Sequence, residues 1–221
     1  MDVLVVGATR GSGLAVTRRL VAEGHRVTAF GRTASAAFAA PLPGPGSVRP
    51  VDGDVLDPEA VSKAVVGQDA VVVTLGISDN PLAVQWLRRA STALDVRSAG
   101  TAAVLAAMRD AGVRRLVVQT TYGLGDSWRH LSLTWKLTFR FVIGRQLADS
   151  ARQEDLVRAS GTDWTLVRPV SLTDQPADDG AHVSTDSDVR GMTVSRGQVA
   201  RAVVDALADP RTAGATLSVS S

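Results

Sequence analysis

The sequence predicts an α/β fold with a mainly parallel sheet, in a single domain that covers residues 1–221. Short apolar runs rich in β-branched residues alternate along the chain with longer segments of helical spacing, which is typical of strands joined by crossover helices. The length of 221 residues is one that single α/β domains commonly reach. The Pro/Gly-rich stretch 41–46 is too short to indicate a linker between domains.

The first three predicted elements form a βαβ unit. Val3–Val6 suggests a strand buried on both faces, Leu14–Glu23 has helical spacing, and His25–Phe30 is predicted as a second strand. The alternation then continues to the end of the chain. Further strands are predicted at 48–51, 70–75, 115–120, 164–167 and 216–219, and further helices at 58–66, 81–111 (mostly helical), 146–160 and 198–208.

Composition narrows the class of protein. Hydrophobic residues make up 45% and charged residues 21%, which fits a globular protein with a sizeable core. A net charge of +2 without a dense basic run gives no indication of nucleic-acid binding, and the absence of cysteine excludes disulfides and thiolate chemistry. Neither a signal peptide nor a membrane span is indicated, so we expect a cytoplasmic protein.

A glycine-rich turn follows the first strand and opens the first helix. Pyrophosphate needs backbone N–H donors close by, and glycines leave no side chain in the way while the next helix directs its N-terminus at the phosphates. The strand–turn–helix context is the one that a dinucleotide site requires. The turn therefore predicts a Rossmann-type, doubly wound sheet, with a merely structural turn as the alternative. The predicted cofactor contacts here are Gly7, Thr9, Arg10, Gly11, Ser12 and Gly13.

The spacing Gly-x-x-x-Gly-x-Gly differs from Gly-x-Gly-x-x-Gly and resembles the short-chain dehydrogenase/reductase superfamily. The phrase Gly7-Ala8-Thr9 and later segments are similar to the atypical branch of that superfamily. This branch comprises NAD(P)H-binding proteins such as the NmrA-type regulators and the flavin/biliverdin reductases. Many relatives have a glycine where this chain has Arg10. The resemblance covers nearly the whole chain and implies the branch, but no particular substrate.

The end of the second strand predicts which cofactor is preferred. An NAD-preferring site usually has Asp or Glu there to bind the ribose hydroxyls, whereas this strand ends Ala29-Phe30-Gly31-Arg32. The guanidinium of Arg32 can pair with a 2′-phosphate, and Arg10 is a second candidate partner. Two solvated surface arginines are the alternative. We expect the cofactor to be NADP(H), with NADPH preferred over NADH.

The resemblance implies further cofactor contacts at three strand ends. The family has an Asp-Val pair after the third strand that holds the adenine ring, backbone beside the cofactor after the fourth strand, and an Arg-Pro pair that turns the chain over the nicotinamide. A turn carboxylate without a ligand is the alternative for the Asp. The matching residues are Asp54, Val55, Leu75, Gly76, Arg168 and Pro169.

The proton-transfer pair of the main dehydrogenase branch is missing. That branch uses a Tyr as general acid and a Lys four residues later to lower the pKa of the Tyr hydroxyl. The only tyrosine here is Tyr122, position 126 is Asp, and the only lysines are Lys63 and Lys136. Tyr-x-x-x-Lys chemistry is therefore excluded.

Hydroxyl groups remain at the end of the fifth strand. Ligands of doubly wound sheets bind beyond the strand ends, and similar proteins carry a Ser or Thr beside the nicotinamide. Thr121 is the best match, followed by Thr120, which is also expected to contact the cofactor, and Tyr122 is a third candidate. A neutral hydroxyl can donate a hydrogen bond but is a poor acid. The alternative is a hydroxyl that only satisfies the strand end.

The segment 148–161 resembles the branch's helix before the sixth strand. Relatives often have a Lys or His near Ser150, and a serine there weakens the case for proton transfer. On this helix Gln153 and Glu154 are candidates for a structural role, but for Glu154 we favour solvation on the helix face. The segment 172–176 resembles the substrate loop of the reductase-like members.

Two features before this helix leave alternatives open. The segment 131–143 interleaves aromatic residues with cations. It is a candidate for a lid, a dimer face or a membrane-surface helix, and burial against the domain or a partner chain is the interpretation that we favour. His130 is expected to be a solvated loop residue, with a pocket contact as the alternative. Together with His25 and His182 it makes no metal cluster, so no metal is expected.

These patterns predict an NADPH-dependent reductase of a small planar acceptor, such as a flavin, a quinone or a biliverdin-like molecule. The protein would act by positioning cofactor and acceptor, with substrate-side loops and helices within about 121–196. The alternative function is a non-catalytic NADP(H)-binding redox sensor of the NmrA type. A nucleotide-sugar epimerase is disfavoured by the missing Tyr and Lys. The sequence leaves open whether the protein is a monomer or a homodimer.

Overall fold

The computed structural model describes residues 1–76, 92–175 and 180–221. Its strands are β1 (Asp2–Val6), β2 (Arg26–Gly31), β3 (Ser47–Asp52), β4 (Ala70–Val73), β5 (Arg115–Gln119), β6 (Asp163–Pro169), β7 (Ser171–Thr173), β8 (His182–Ser184), β9 (Thr193–Ser195) and β10 (Ala215–Ser220). Eight of them form the main sheet in the order β3-β2-β1-β4-β5-β6-β10-β8. All neighbours are parallel except β8, which pairs antiparallel with β10.

Helices cover both faces of this sheet. They are α1 (Gly11–Ala22), α2 (Ala34–Ala37), α3 (Pro58–Val65), α4 (Val96–Ala111), α5 (Leu133–Val142), α6 (Gly144–Arg158) and α7 (Arg196–Ala208). Helices α1 and α7 pack together on one face, while α4 packs against α3 and α6 on the other. Alternate residues of the buried strands serve the two apolar cores, as Val5 and Val6 do. The prediction of a doubly wound, mainly parallel sheet is confirmed.

The structure differs from the predicted elements in α5, which is not one of the helices predicted from the periodicity, and in several short or interrupted segments. Of the helix predicted at 81–111, the structure has Val96–Ala111, and 81–91 lies outside the described residues. The pattern does not predict α2 or β7 to β9, because three or four residues are too few to show a period. Strand β7 pairs in parallel with β9 as a separate two-stranded sheet beside the main one.

Helix α5 has one buried and one exposed apolar side. Phe139 is buried, and Trp135 packs on it edge to face with ring centroids 5.7 Å apart. On the outer side Leu133, Leu137 and Phe141 are 73%, 49% and 52% exposed. Burial against the domain therefore holds for the inner residues only. Within the described ranges, no helix combines the length and apolar character that crossing a bilayer requires.

Candidate functional site

A cleft of about 1070 Å³ opens at the carboxyl ends of β1, β4, β5 and β6. This is where ligands bind in doubly wound sheets, at the point where the strand order reverses. The cleft lining does not include Gly13, Tyr122 or Arg168. It does include the other predicted site residues, which are Gly7, Thr9, Arg10, Gly11, Ser12, Arg32, Asp54, Val55, Leu75, Gly76, Thr120, Thr121 and Pro169.

The glycine turn is shaped by contacts that leave no room for side chains. Gly7 has a φ of 84°, in the left-handed region, and its N–H donates to the carbonyl of Phe30 at 3.0 Å. A Cβ on Gly13 would lie 2.1 Å from the carbonyl oxygen of Gly7 and 2.5 Å from Thr74 Oγ1. Glycine at position 13 therefore lets α1 begin directly against the strand ends, beneath the cleft wall.

The N-terminus of α1 reaches the cleft without a side-chain cap. Arg10 stands at the cap position with extended backbone, and its side chain makes no capping hydrogen bond. The first N–H groups of a helix have no acceptor within the helix, and Gly11 and Ser12 line the cleft. These donors and the positive end of the helix dipole form a site that suits a pyrophosphate.

Cations rather than carboxylates border the cleft at the end of β2. Arg10, after β1, and Arg32, after the adjacent β2, both line it, and Arg32 Nη2 donates to Thr92 Oγ1 at 3.1 Å. Asp52, at the end of β3, accepts the N–H of Ser35 at 2.8 Å, and this bond holds the pKa of its carboxyl below the usual value. Asp52 does not line the cleft.

The Asp54-Val55 pair and Leu75 lie beside the first turns of α4. A Cβ on Gly100 of α4 would come within 2.8 Å of both Val55 and Leu75, so the missing side chain lets these two pack against the helix. Asp54 accepts the N–H of Leu56 at 2.9 Å and lines the cleft. Both apolar side chains line the cleft, and adenine binding here stays a prediction.

A buried charge cluster supports the loop after β5. Glu154 of α6 is 4% exposed and accepts hydrogen bonds from Thr120 Oγ1 at 2.8 Å and from Arg168 Nε and Nη2 at 2.8 and 2.6 Å. Arg168 also donates to Asp126 at 2.7 Å, and Asp126 accepts from the hydroxyl of Ser187. The expectation that Glu154 is solvated is wrong, because it is the counter-ion of a buried guanidinium.

The side chain of Arg168 serves this cluster rather than the cleft. Burial opposes its charge, but the hydrogen bonds and charges of Glu154 and Asp126 outweigh burial and hold the pKa of Arg168 above its usual value. At Asp126, desolvation raises the pKa, but the hydrogen bonds from Ser187 and Arg168 bring it down to about 2. The predicted cofactor contact of Arg168 is therefore corrected, since its guanidinium is fully used within the protein, while Pro169 does line the cleft.

The three candidate hydroxyls differ in burial, in hydrogen bonding and in whether they line the cleft. Tyr122 is 1% exposed, its hydroxyl donates to the carbonyl of Ser187 at 2.9 Å, and burial raises its pKa. It does not line the cleft, so it is no candidate for contact with substrate. Thr120 lines the cleft, but its hydroxyl is held by Glu154. Thr121 is half-buried in the lining, and among the described residues its Oγ1 makes one hydrogen bond, of 3.3 Å, to the carbonyl of Tyr122.

Sequence reasoning misses two arginines of the cleft. Arg196, the first residue of α7, has its Nε 3.4 Å from the position of a Cβ on Gly11, and it pairs with Asp174 at 2.6 Å. Arg97, in the first turn of α4, lines the opposite side. Neither belongs to a motif. The one available signal is a cation in the first turn of a helix, where the helix dipole disfavours positive charge.

Comparison with protein families matches residues 7–210 to the NAD(P)H-binding family. The chain belongs to this family. The matched region begins at the first glycine of the turn and includes every described residue that lines the cleft, apart from Val6. The resemblance to the NAD(P)H-binding, atypical branch of the short-chain dehydrogenase/reductase superfamily is thereby confirmed.

Two curated relatives of this chain are named as reductases. The 3-diazoavenalumate denitrifying reductase of a Streptomyces species is 40% identical over 126 residues, which are 54% of this chain and 38% of that protein. The 2-alkyl-3-oxoalkanoate reductase of Stenotrophomonas maltophilia is 36% identical over 121 residues, which are 55% of this chain and 33% of that protein. The chain thus matches only about a third of the length of each of these reductases.

Solved structures share the fold over their whole length. A Rossmann-fold NAD(P)-binding family protein from Shigella flexneri is 25% identical, with a TM-score of 0.71 and coverage of 99% of this chain and 92% of that one. ChuY of Escherichia coli O157:H7, named as an anaerobilin reductase, is 23% identical, with a TM-score of 0.75 and coverage of 99% and 96%. A short-chain dehydrogenase/reductase from Veillonella parvula, in complex with NADP, is 18% identical, with a TM-score of 0.78 and coverage of 100% and 94%.

Proposed function

We propose that this chain is an NADPH-dependent reductase that transfers hydride to a small planar acceptor, such as a flavin, a quinone or a biliverdin-like molecule. The observation that carries the proposal is the composition of one cleft: an uncapped helix N-terminus behind a glycine turn at one end and a neutral hydroxyl, Thr121, at the other. Among the described residues, no Tyr, Lys or His lines this cleft. The relatives named as reductases support the reaction class.

The preference for NADPH rests on the charges around the end of β2. Arg10 and Arg32 line the cleft there, and the carboxylate of Asp52 is held by the Ser35 N–H outside the lining. Guanidinium groups suit a 2′-phosphate, whereas a carboxylate would repel it. The Veillonella parvula protein in complex with NADP has the same fold.

When bound, NADPH supplies the hydride, and the reduced acceptor takes up one proton from water. The residues of the chain position the acceptor. Thr121 Oγ1 can donate a hydrogen bond to an acceptor carbonyl or ring nitrogen, while Glu154 fixes Thr120 and hence the direction of the loop. Pro169 and Val170 add apolar surface to the lining beyond β6. An acceptor that is easily reduced needs proximity more than a strong acid.

A screen of NADPH oxidation with FMN, biliverdin and quinones as acceptors tests the reaction. We expect turnover with at least one class, and Thr121→Ala should lower kcat/KM about tenfold through loss of one hydrogen bond. Thr134→Ala, on the exposed side of α5, is the matched control and should leave the rate unchanged. Lack of NADPH oxidation with every acceptor class would remove the reductase proposal.

Titration with NADPH and NADH tests the cofactor preference. We expect Arg32→Ala and Arg10→Ala each to weaken NADPH binding about tenfold or more and to leave NADH binding nearly unchanged, because only NADPH carries the 2′-phosphate. Arg18→Ala, an exposed arginine of α1, is the control. Equal or tighter binding of NADH by the unmodified protein would contradict the preference.

The second candidate is a redox sensor that binds NADP(H) without turning it over. Two of the three candidate hydroxyls favour this function, because each is already hydrogen-bonded within the protein and is not free to donate to a substrate. The Tyr122 hydroxyl donates to the carbonyl of Ser187, and the Thr120 hydroxyl donates to Glu154. Tight NADP(H) binding without any NADPH oxidation would select this function.

A further inference from the structure

Two hydrogen-bond donors at the start of α4 and α6 have no acceptor within residues 1–76, 92–175 and 180–221. Arg97 Nη2 donates to Gln146 Oε1 across a long 3.4 Å bond, which orients the amide so that Gln146 Nε2 points away from Arg97. Arg97 Nη1 and Gln146 Nε2 are both buried, and neither has a partner in the described chain. Arginine can only donate, and an amide nitrogen likewise only donates. The pair therefore presents N–H groups without a matching acceptor.

The carboxylate next to Arg97 is already used. Asp149 of α6 is fully buried and accepts the N–H of Arg97 at 3.0 Å, the N–H and hydroxyl of Ser98, and a guanidinium nitrogen of Arg152 at 3.4 Å. It therefore caps α4 and does not bond to the Arg97 guanidinium. Burial lowers the pKa of Arg97, with the charge of Asp149 opposing this, and a guanidinium still remains protonated at neutral pH. Buried donors of this kind are rarely left unpaired without a functional reason.

The guanidinium of Arg97 lies beside Gly76 at the cleft. Arg97 lines the cleft, and its Nη2 lies 3.7 Å from the position that a Cβ on Gly76 would take. A separation of 3.7 Å is ordinary van der Waals contact, so the guanidinium lies directly beside the chain that follows β4. Helix α4 packs on the face of the sheet opposite to α1, so Arg97 enters from another wall than the glycine turn.

The side of the cleft formed by the glycine turn already provides donors for the phosphates of the cofactor. The uncapped start of α1 suits a pyrophosphate, and Arg10 after β1 and Arg32 after β2 both line the cleft. We propose that Arg97, positioned by Gln146, binds a carboxylate of the acceptor, so that the substrate is a planar molecule bearing at least one carboxylate. This inference rests on the proposed reductase function. A guanidinium pairs readily with a carboxylate, and the single positive charge of Arg97 balances the single negative charge of that group.

Binding of matched acids and esters tests the proposal without any turnover. Biliverdin and biliverdin dimethyl ester, and anthraquinone-2-carboxylate and its methyl ester, are titrated by calorimetry into the full chain saturated with NADP⁺. We expect at least one acid to bind about tenfold more tightly than its ester. Arg97→Met should abolish that difference while leaving ester affinity within about twofold, Arg97→Lys should retain part of it, and Gln146→Leu should reduce it.

Controls separate this role from folding and from cofactor binding. Arg109→Met alters an exposed arginine of the same helix and should behave as the unmodified protein. Arg97→Met should keep its affinity for NADPH within about twofold. A tenfold loss of NADPH affinity with an unchanged acid-to-ester ratio would assign the donors to a cofactor phosphate and overturn the proposal. Equal affinity of acids and esters for the unmodified protein, including no binding of either, would also overturn it.

If the reductase proposal fails but the carboxylate proposal holds, the experiments give a result that differs from those above. In that case NADPH is not oxidised with any acceptor, yet the acid-to-ester difference and its loss in Arg97→Met persist. The carboxylate site then belongs to a ligand that is bound but not reduced.

Discussion

The two ends of the cleft are held in place by different kinds of interaction. The glycine-turn end is made of backbone: Gly7, Gly13 and the uncapped start of α1 lie within one βαβ unit. The hydroxyl end is held by side chains, through the cluster of Glu154, Arg168 and Asp126. The first end presents fixed dipoles that do not titrate, whereas the position of Thr120 at the second depends on buried charges.

This difference indicates which kind of substitution should destabilise each end most. Backbone donors need only space, so the glycine-turn end fails when a side chain fills that space. A buried ion pair needs both partners, because removal of one leaves the other charged without compensation. The stability of the hydroxyl end should therefore depend on charge balance, and that of the glycine-turn end on volume.

The largest effect is expected when the buried pair is broken. Glu154→Leu should lower the free energy of unfolding by about 3–5 kcal/mol, because Arg168 is then left buried without its main counter-ion. Glu154→Leu combined with Arg168→Met should recover part of this loss. Urea unfolding measures both, and Asp155→Leu, an exposed position on the same helix, should change stability by no more than about 0.5 kcal/mol. A double variant as unstable as Glu154→Leu would mean that the cluster does not act through charge balance.

Filling the glycine turn should be the next largest effect. Gly13→Ala places a methyl group 2.1 Å from a backbone oxygen, so we expect a loss of about 3 kcal/mol of stability and at least a hundredfold weaker NADPH binding. Gly197→Ala is the matched control, since its Cβ meets nothing closer than 3.7 Å in the first turn of α7. Thermal unfolding and NADPH titration measure the two quantities. Undiminished NADPH affinity in Gly13→Ala would break the assignment of the turn to the cofactor.

The same contrast explains which parts of the site were predictable from sequence. The βαβ unit, the sheet and most of the cleft lining follow from local patterns, because Gly7 to Gly13 lie between two strands that pair with each other. The charge cluster joins residues far apart in sequence: Thr120 and Glu154 are separated by 34 positions, and Asp126 and Arg168 by 42. No periodicity encodes such pairings.

The wrong expectations for Glu154 and Arg168 have the same physical origin. Glu154 and Arg168 are both charged, and a charged residue on a helix or at a strand end is usually solvated or available to a ligand. Each is buried here because the other neutralises it. Arg97 was missed because it belongs to no motif, and nothing in the sequence indicates that its side chain lines the cleft.

A smaller effect is expected at α5, which supports the hydroxyl end from outside. Phe139 packs over the loop after β5, where a Cβ on Gly123 would lie 2.6 Å from its ring. Phe139→Ala should cost about 2 kcal/mol of stability, which is below the range for a central core Phe, because one side of α5 is exposed to solvent. Phe141→Ala, on the exposed side of the same helix, should cost less than about 0.5 kcal/mol. Equal losses in denaturant unfolding would show that the outer side is also buried in solution.

The smallest effect concerns the titration of Asp126. Its pKa is lowered to about 2 in the folded protein, from an unfolded value near 3.8, so its charge stabilises the fold above pH 3.8 and this contribution is lost as the pH falls towards 2. The side chain is 49% exposed, so solvent screening reduces the contribution to about 1 kcal/mol. Asp126→Asn should therefore be less stable than the unmodified protein by about that amount at pH 7, and the gap should narrow between pH 4 and pH 2. Urea unfolding across this range measures the gap, with the exposed Asp205→Asn as control. A gap that does not change with pH would mean that Asp126 acts through hydrogen-bond geometry, and only Glu154 would then supply the charge that keeps Arg168 buried at the hydroxyl end.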